Sequence, residues 1–335
     1  MSGNVSSVRS AHKSPAGSAR ERLLIFSRKG FDSSFGGRPS PRLPDGRLVS
    51  LPIPEPGSPI TYGNCLVQPD LGFADLLGQL GTSHITLPHG GRQVRLPLGP
   101  GLGAHLDPDL RRATRPRPAG WLPLFGQADA AQQHLANQHV APGDVLIFFG
   151  WFRDVEVEHG QFRYARRADV AGRLQPLAKD AVWPLRDYQA IWGWMEIGEI
   201  LPATETAARH PWAAEHPHLI TGVARHYRGA NTVYISAPQF SLDSRVAGAG
   251  TLRYSNICRL TMQGARSRRW WTLPDSFHPQ NTSRPLTYHP PSAWSDPAGG
   301  RVTLRSACIG QEFVVPINDG IQTWLTNLLT SAQPW

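Results

Sequence analysis

Three short segments hold side chains whose types and spacing suit chemistry. The first, Lys29-Gly30-Phe31-Asp32-Ser33-Ser34-Phe35-Gly36-Gly37, follows the apolar run Leu23 to Phe26. It puts cations (Arg28, Lys29), a carboxylate and two hydroxyls at the end of a buried strand, where each is costly to bury without a partner. Loops held by a rigid sheet are where chemistry is usually placed. The competing reading is a hairpin whose glycines only supply positive φ. The second segment is His105-Leu106-Asp107-Pro108-Asp109-Leu110. A carboxylate of this kind can activate water or stabilise a cationic transition state. Local pattern favours a helix start instead, with Asp107 as N-cap, Pro108 at the first helical position and Asp109 in the first turn. The third is His216-Pro217-His218. Two imidazoles can ligate a metal, but the intervening proline and the lack of a carboxylate-rich partner close by favour a polar pocket wall.

The elements that must position these residues are mostly strands. Leu23–Phe26, Leu48–Ile53, Val145–Trp151, Gln189–Leu201, Thr232–Ser236 and Gln311–Pro316 read as strands, with Gly193 a bulge candidate. Residues 85–98 are strand-like with proline interruptions. Helices are expected over Phe73–Leu80 and Gln127–His139. Strands outnumber helices and do not alternate with them. The expected fold is therefore α+β: a curved mixed or antiparallel sheet, short flanking helices and many Pro/Gly-rich loops. No linker stands out, so residues 21–335 are expected to form a single domain behind a mobile basic tail, residues 1–20.

Composition narrows the partners. A net charge of +9 favours a polyanion. Cations beside aromatics, as in Phe152-Arg153, Arg163-Tyr164 and the run from Arg266 to Trp271, suit phosphate contact with base stacking, although exposed arginines on ordinary strands look the same. Cys65, Cys258 and Cys308 lie far apart, which indicates neither a zinc ribbon nor a disulfide framework and fits a reducing cytoplasm. No apolar run is long enough for a membrane span, and no signal-peptide core is present. There is no phosphate-binding GxxxxGK[ST] loop and no HExxH. Gly99-Pro100-Gly101-Leu102-Gly103 has a glycine-loop form, but Pro97 and Pro100 spoil the strand-turn-helix it should serve. No cofactor and no metal are expected.

Taken together, five ordered segments resemble the third group of the nucleotide-modification-associated domain family. They are residues 29–55, 105–110, Phe125 to Arg153, 216–219 with Asn231 to Tyr234, and 310–314. Arg42 departs from the pattern, standing where an aliphatic residue is expected after Pro39-Ser40-Pro41. The resemblance implies action in systems that modify the bases of phage and bacterial DNA. Adding a group to a base needs a donor, whereas breaking a base–sugar bond needs water, a placed carboxylate and a pocket for the extruded base. The expected activity is a DNA glycosylase excising bulky hypermodified bases, such as glucosylated hydroxymethylcytosine, from double-stranded phage DNA in anti-phage defence. An enzyme that installs such a base, and a non-enzymatic reader of it, are the alternatives. Asp32, Asp107 and Asp109 are the candidate catalytic carboxylates. Lys29 and Arg38 are candidates for phosphate or leaving-base contact, Ser33, Ser34 and Arg153 for nucleic-acid binding, and Phe35, Trp151 or Trp192 for stacking. His216, His218, Asn231, Gln311 and Glu312 are candidates for reading polar edges or sugar hydroxyls.

Overall fold

The computed structural model describes residues 20–165, 169–170, 173–174, 187–308, 310, 312–331 and 334–335. Gln311 and residues 1–19 of the expected tail lie outside the described residues. In chain order, the elements that bear on the site are β1 (Leu23–Arg28), β2 (Ser40–Arg42), β3 (Ile53–Pro54), α1 (Phe73–Gln79), β4 (Ala104–His105) and β5 (Leu124–Ala128). They continue with α2 (Asp129–Asn137), β6 (Val145–Glu158), β7 (Asp187–Pro202), β8 (Asn231–Ser236), β9 (Glu312–Pro316) and α3 (Asp319–Ser331).

The fold is α+β with a mixed sheet, and the described residues contain no closed barrel. The strand order is β9-β1-β6-β7-β8-β5. β1 runs parallel to β6, with Leu24 opposite Val145, and antiparallel to β9, with Ser27 opposite Glu312. Leu23, Leu24, Ile25 and Phe26 are each at most 1 % exposed, so the run is buried on both faces. The first and last strands of the order share no backbone ladder. Instead, the side-chain amide of Gln127 on β5 donates to the Glu312 carboxylate on β9. The sheet must therefore curl until its two ends meet.

One face is covered by α3, where Ile321, Trp324, Leu325, Leu328 and Leu329 form a buried stripe. No helix is expected there from the segments above, although the 3-1-3-1 apolar spacing is legible. Trp324 stacks 6.2 Å from Phe26 and meets Phe277 edge-on at 5.1 Å. The bulge expected at Gly193 is present: Phe148 faces Gly193 while Phe149 faces Ile191, leaving Trp192 as the extra residue. Arg42 is accommodated by Asp154, 3.4 Å away, and by the ring of Tyr254 at 3.9 Å.

Three local expectations are corrected. Leu48–Ile53 is not a strand; only a bridge at Leu48 and the two-residue β3 remain. Pro52 and Pro54 cannot donate to a ladder. The buried segment instead satisfies its backbone with side chains, Leu51 N–H to Ser40 Oγ and Tyr62 Oη to the Pro52 carbonyl. Asp107 does not cap a helix. The Asp107–Pro108 bond is cis, and Asp109 exchanges both backbone hydrogen bonds with Leu124 at the start of β5. The helix expected from Gln127 begins at Asp129, because Gln127 and Ala128 pair with β8.

Truncating the helix–sheet contact should be costly. We expect Trp324→Ala to lower the unfolding free energy by about 3–5 kcal/mol, measured by denaturant titration. A loss below about 1 kcal/mol would show that α3 does not cover the core as described.

Candidate functional site

The curl of the sheet leaves a cavity of about 530 Å³. β1 delivers Arg28 and Lys29 to it, and the loop that follows delivers Asp32 and Phe35. Glu55, just past β3, and His105 on β4 form another part of the wall, followed by Asp107. The junction of β5 and α2 contributes Gln127 to Ala131, so the first turn of a helix lines the space. His218, in a single 3₁₀ turn Pro217–Leu219, and Tyr227 complete the wall.

Asp107 is the best-anchored carboxylate here, with a side chain 3 % exposed. Its Oδ1 accepts the Gly126 N–H at 2.7 Å, and His216 Nε2 lies 3.2 Å from the same oxygen. Its Oδ2 faces His218 Nε2 at 3.8 Å and His105 Nε2 at 4.0 Å. Gly126 is required twice. Its N–H holds Asp107, and a Cβ at this position would overlap the His218 ring. His218 Nδ1 lies 2.6 Å from Asn231 Oδ1, and Asn231 Nδ2 donates to the His218 carbonyl at 2.9 Å. His216 Nδ1 accepts the His218 N–H at 3.4 Å, while its buried Nε2, although 3.2 Å from Asp107 Oδ1, makes no hydrogen bond.

Burial works against ionisation of Asp107, but contact with His216 and the nearby ammonium of Lys29 hold the carboxyl below its ordinary range. Burial pushes the His105 imidazole down to about 3 and that of His218 down to about 4, against the pull of Asp107. Both rings are therefore neutral near pH 7.

A second cluster sits beside the first. Glu312, 1 % exposed, accepts from Gln127 and from Ser27 Oγ at 3.2 Å, and pairs with Lys29 Nζ at 3.4 Å. Lys29 also stands 4.6 Å over the Phe125 ring. Asp32 lines the cavity too, with Oδ1 accepting the Ser34 and Phe35 N–H groups at 2.7 and 2.6 Å. That oxygen shapes its own loop.

The other candidates are placed elsewhere. Asp109 is locked in a bidentate pair with Arg117 and does not line this cavity. Burial raises its carboxyl against the pull of Arg117. Trp151 donates to Asp187 at 2.8 Å under the Arg268 guanidinium, and Arg153 pairs with the same aspartate. Trp192 and Asp109 line an adjoining space of about 40 Å³ that shares Gly30 and Asp107 with the cavity. Ser33 is exposed, and Arg38 lies near Tyr164. His216 and Asn231 stand behind Asp107 and His218. Glu55, His105 and Tyr227 were not singled out from the sequence. For His105 a signal existed: residues two apart on an extended segment point the same way, so His105 and Asp107 share a side.

Residues 23–316 match the family described as Nmad3, nucleotide modification associated domain 3. The chain belongs to this family. No curated protein and no solved structure matches it. Nmad3 membership associates the chain with nucleotide modification. No helix among the described residues of this Nmad3 chain is long and apolar enough to cross a membrane.

Two measurements probe this geometry. Gly126→Ala should destabilise by about 1–3 kcal/mol through overpacking against His218. Gly78→Ala, where an added Cβ meets nothing within 4 Å, should be neutral or slightly stabilising. Equal denaturation midpoints for the two variants would remove the claim for Gly126. The second measurement is pH dependence. His218 and His289 are both pushed down by burial to about 4 from an ordinary 6.5. Between those values the unfolded chain binds more protons, so unfolding free energy should fall as pH drops through this window. Stability independent of pH across it would contradict neutral buried imidazoles.

Proposed function

We propose that this Nmad3 protein is a DNA glycosylase that excises bulky hypermodified bases, such as glucosylated hydroxymethylcytosine, from phage DNA. The observation that carries the reading is Asp107: a nearly fully buried carboxylate, fixed by a backbone N–H, in the wall of a cavity large enough for one extruded nucleotide. The volume of about 530 Å³ falls within the range of roughly 300–1,000 Å³ usual for small-ligand sites.

The surrounding groups suit the task. Arg28, Lys29 and the α2 N-terminus favour the negative charge of a sugar-phosphate backbone. Phe35 and Tyr227 offer ring faces to a flipped base. In the reaction, the oxygen of water joins C1′ of the sugar and the C1′–N bond breaks. The base leaves with one proton, and an abasic site remains. Asp107 is placed to orient that water and to stabilise positive charge developing at the sugar. Asp32, in the same wall but half-exposed and partly committed to its loop, takes a secondary place. The net charge of +9 supports DNA as the partner. Excision of a base foreign to the host would serve defence against phage.

The test is incubation of purified protein with plain and glucosylated phage DNA without any added donor, read by mass spectrometry of freed bases and an abasic-site assay. Release of the modified base is expected, and Asp107→Asn should slow it by about 10²–10⁴-fold while DNA binding persists. Binding without release would indicate a reader. A mass gain that needs a donor would indicate an enzyme that installs the modification.

A further inference from the structure

The sequence around His216-Pro217-His218 offers no carboxylate-rich partner for a metal. The fold supplies a carboxylate. His105, Asp107 and His218 bring their ligand atoms within 4.8 Å of one another. His105 and Asp107 come from β4 and the turn after it, and His218 from a distant 3₁₀ turn.

The hydrogen bonds around this trio leave a gap that a proton does not fill. Asn231 is oriented by its own bond to the His218 carbonyl, so its Oδ1 must accept, and His218 Nδ1 must donate. His218 Nε2 is then a lone pair, and it faces Asp107 Oδ2 across 3.8 Å. That oxygen is an acceptor as well. Asp107 Oδ1 is already occupied by the Gly126 N–H, so Oδ2, which faces the two imidazoles, is the oxygen available for ligation. His105 Nε2 is 4.0 Å from Oδ2, while its buried Nδ1 has no hydrogen-bond partner and lies 4.0 Å from Glu55 Oε2. The Tyr227 hydroxyl, 3.3 Å from His218 Nε2, reaches only one of these three ligand atoms, and converging lone pairs are what a cation stabilises. Asn231 on His218 and Glu55 beside His105 occupy the positions of the outer groups that orient metal-bound imidazoles. Gly126 lets the His218 ring into this arrangement, since any side chain there would exclude it.

We propose that His105 Nε2, Asp107 Oδ2 and His218 Nε2 bind one divalent first-row transition ion such as Zn²⁺, Mn²⁺ or Fe²⁺. The donor set decides the class. Two imidazoles with one carboxylate suit these ions, whereas Mg²⁺ and Ca²⁺ prefer oxygen alone. Three protein ligands leave coordination positions open, and all three residues line the cavity, so a metal-held water would face it. This deepens the excision reading and rests on it for the use made of that water. The binding itself stands apart from the reaction.

The experiment uses the full chain, stripped with chelator and titrated by calorimetry with Zn²⁺ and Mn²⁺, and with Co²⁺ followed by visible absorption. We expect one ion per chain. His105→Ala and His218→Ala should each weaken binding by more than about 100-fold, and Asn231→Ala by about 10–100-fold. Tyr227→Phe removes the hydroxyl that lies 3.3 Å from His218 Nε2 and competes for that nitrogen, so it should not weaken binding. No stoichiometric binding by the unaltered protein, or unchanged affinity in folded His105→Ala and His218→Ala, would overturn the site. Metal binding without base release defeats excision and keeps the site. Base release by a protein that binds no ion does the reverse.

Discussion

The shape of this molecule depends on one buried carboxylate. Glu312 begins β9, and its Oε1 takes the amide of Gln127 from the opposite end of the strand order, the hydroxyl of Ser27 and the ammonium of Lys29. An ionised carboxylate at this depth is tolerable only with such partners, and removing any one leaves polar groups stranded in a medium of low dielectric. The same contacts curl the sheet and so bring the β5–α2 junction against the end of β1. The cavity is the space this tie encloses. Its floor and its electrostatics thus have the same origin, because Lys29 belongs both to the tie and to the wall.

Three aspartates that look alike in the chain acquire different chemistry from their surroundings. Asp109 is neutralised by a two-pronged guanidinium, which braces the turn into β5. Asp32 spends one oxygen on the backbone of its own loop. Asp107 has one oxygen held by Gly126 and the other turned to two imidazoles. What separates them is which oxygens remain uncommitted at a solvent-filled surface.

The strands were largely legible because their signal is local. Runs such as Leu23–Phe26 and Val145–Trp151 are continuous rather than alternating, as burial on both faces demands. The Gly193 bulge and α1 were legible for similar reasons. The segment Leu48–Ile53 misled because its apolar residues fill a core while its prolines forbid a ladder. Asp107 misled because Asp-Pro is a strong local helix-start pattern, and only β5, a distant partner, overrides it. Asp107, His216 and His218 could be named as polar candidates, but their assembly depends on Gly126, whose role exists only once the His218 ring is beside it. Glu55 and Tyr227 carry no local mark at all.

Strand β1 lies near one end of the described chain, and its antiparallel partner β9 lies near the other. A ribosome makes the first long before the second. Until residues 312–316 emerge, one edge of β1 has no ladder and the Gln127 amide has no carboxylate to meet. Pairings this far apart in sequence are slow to form. Until then, Leu23 to Phe26 stay open on that side to chaperones or to a neighbouring nascent chain. The cavity is then among the last features completed during synthesis, and a prematurely stopped chain would lack it altogether.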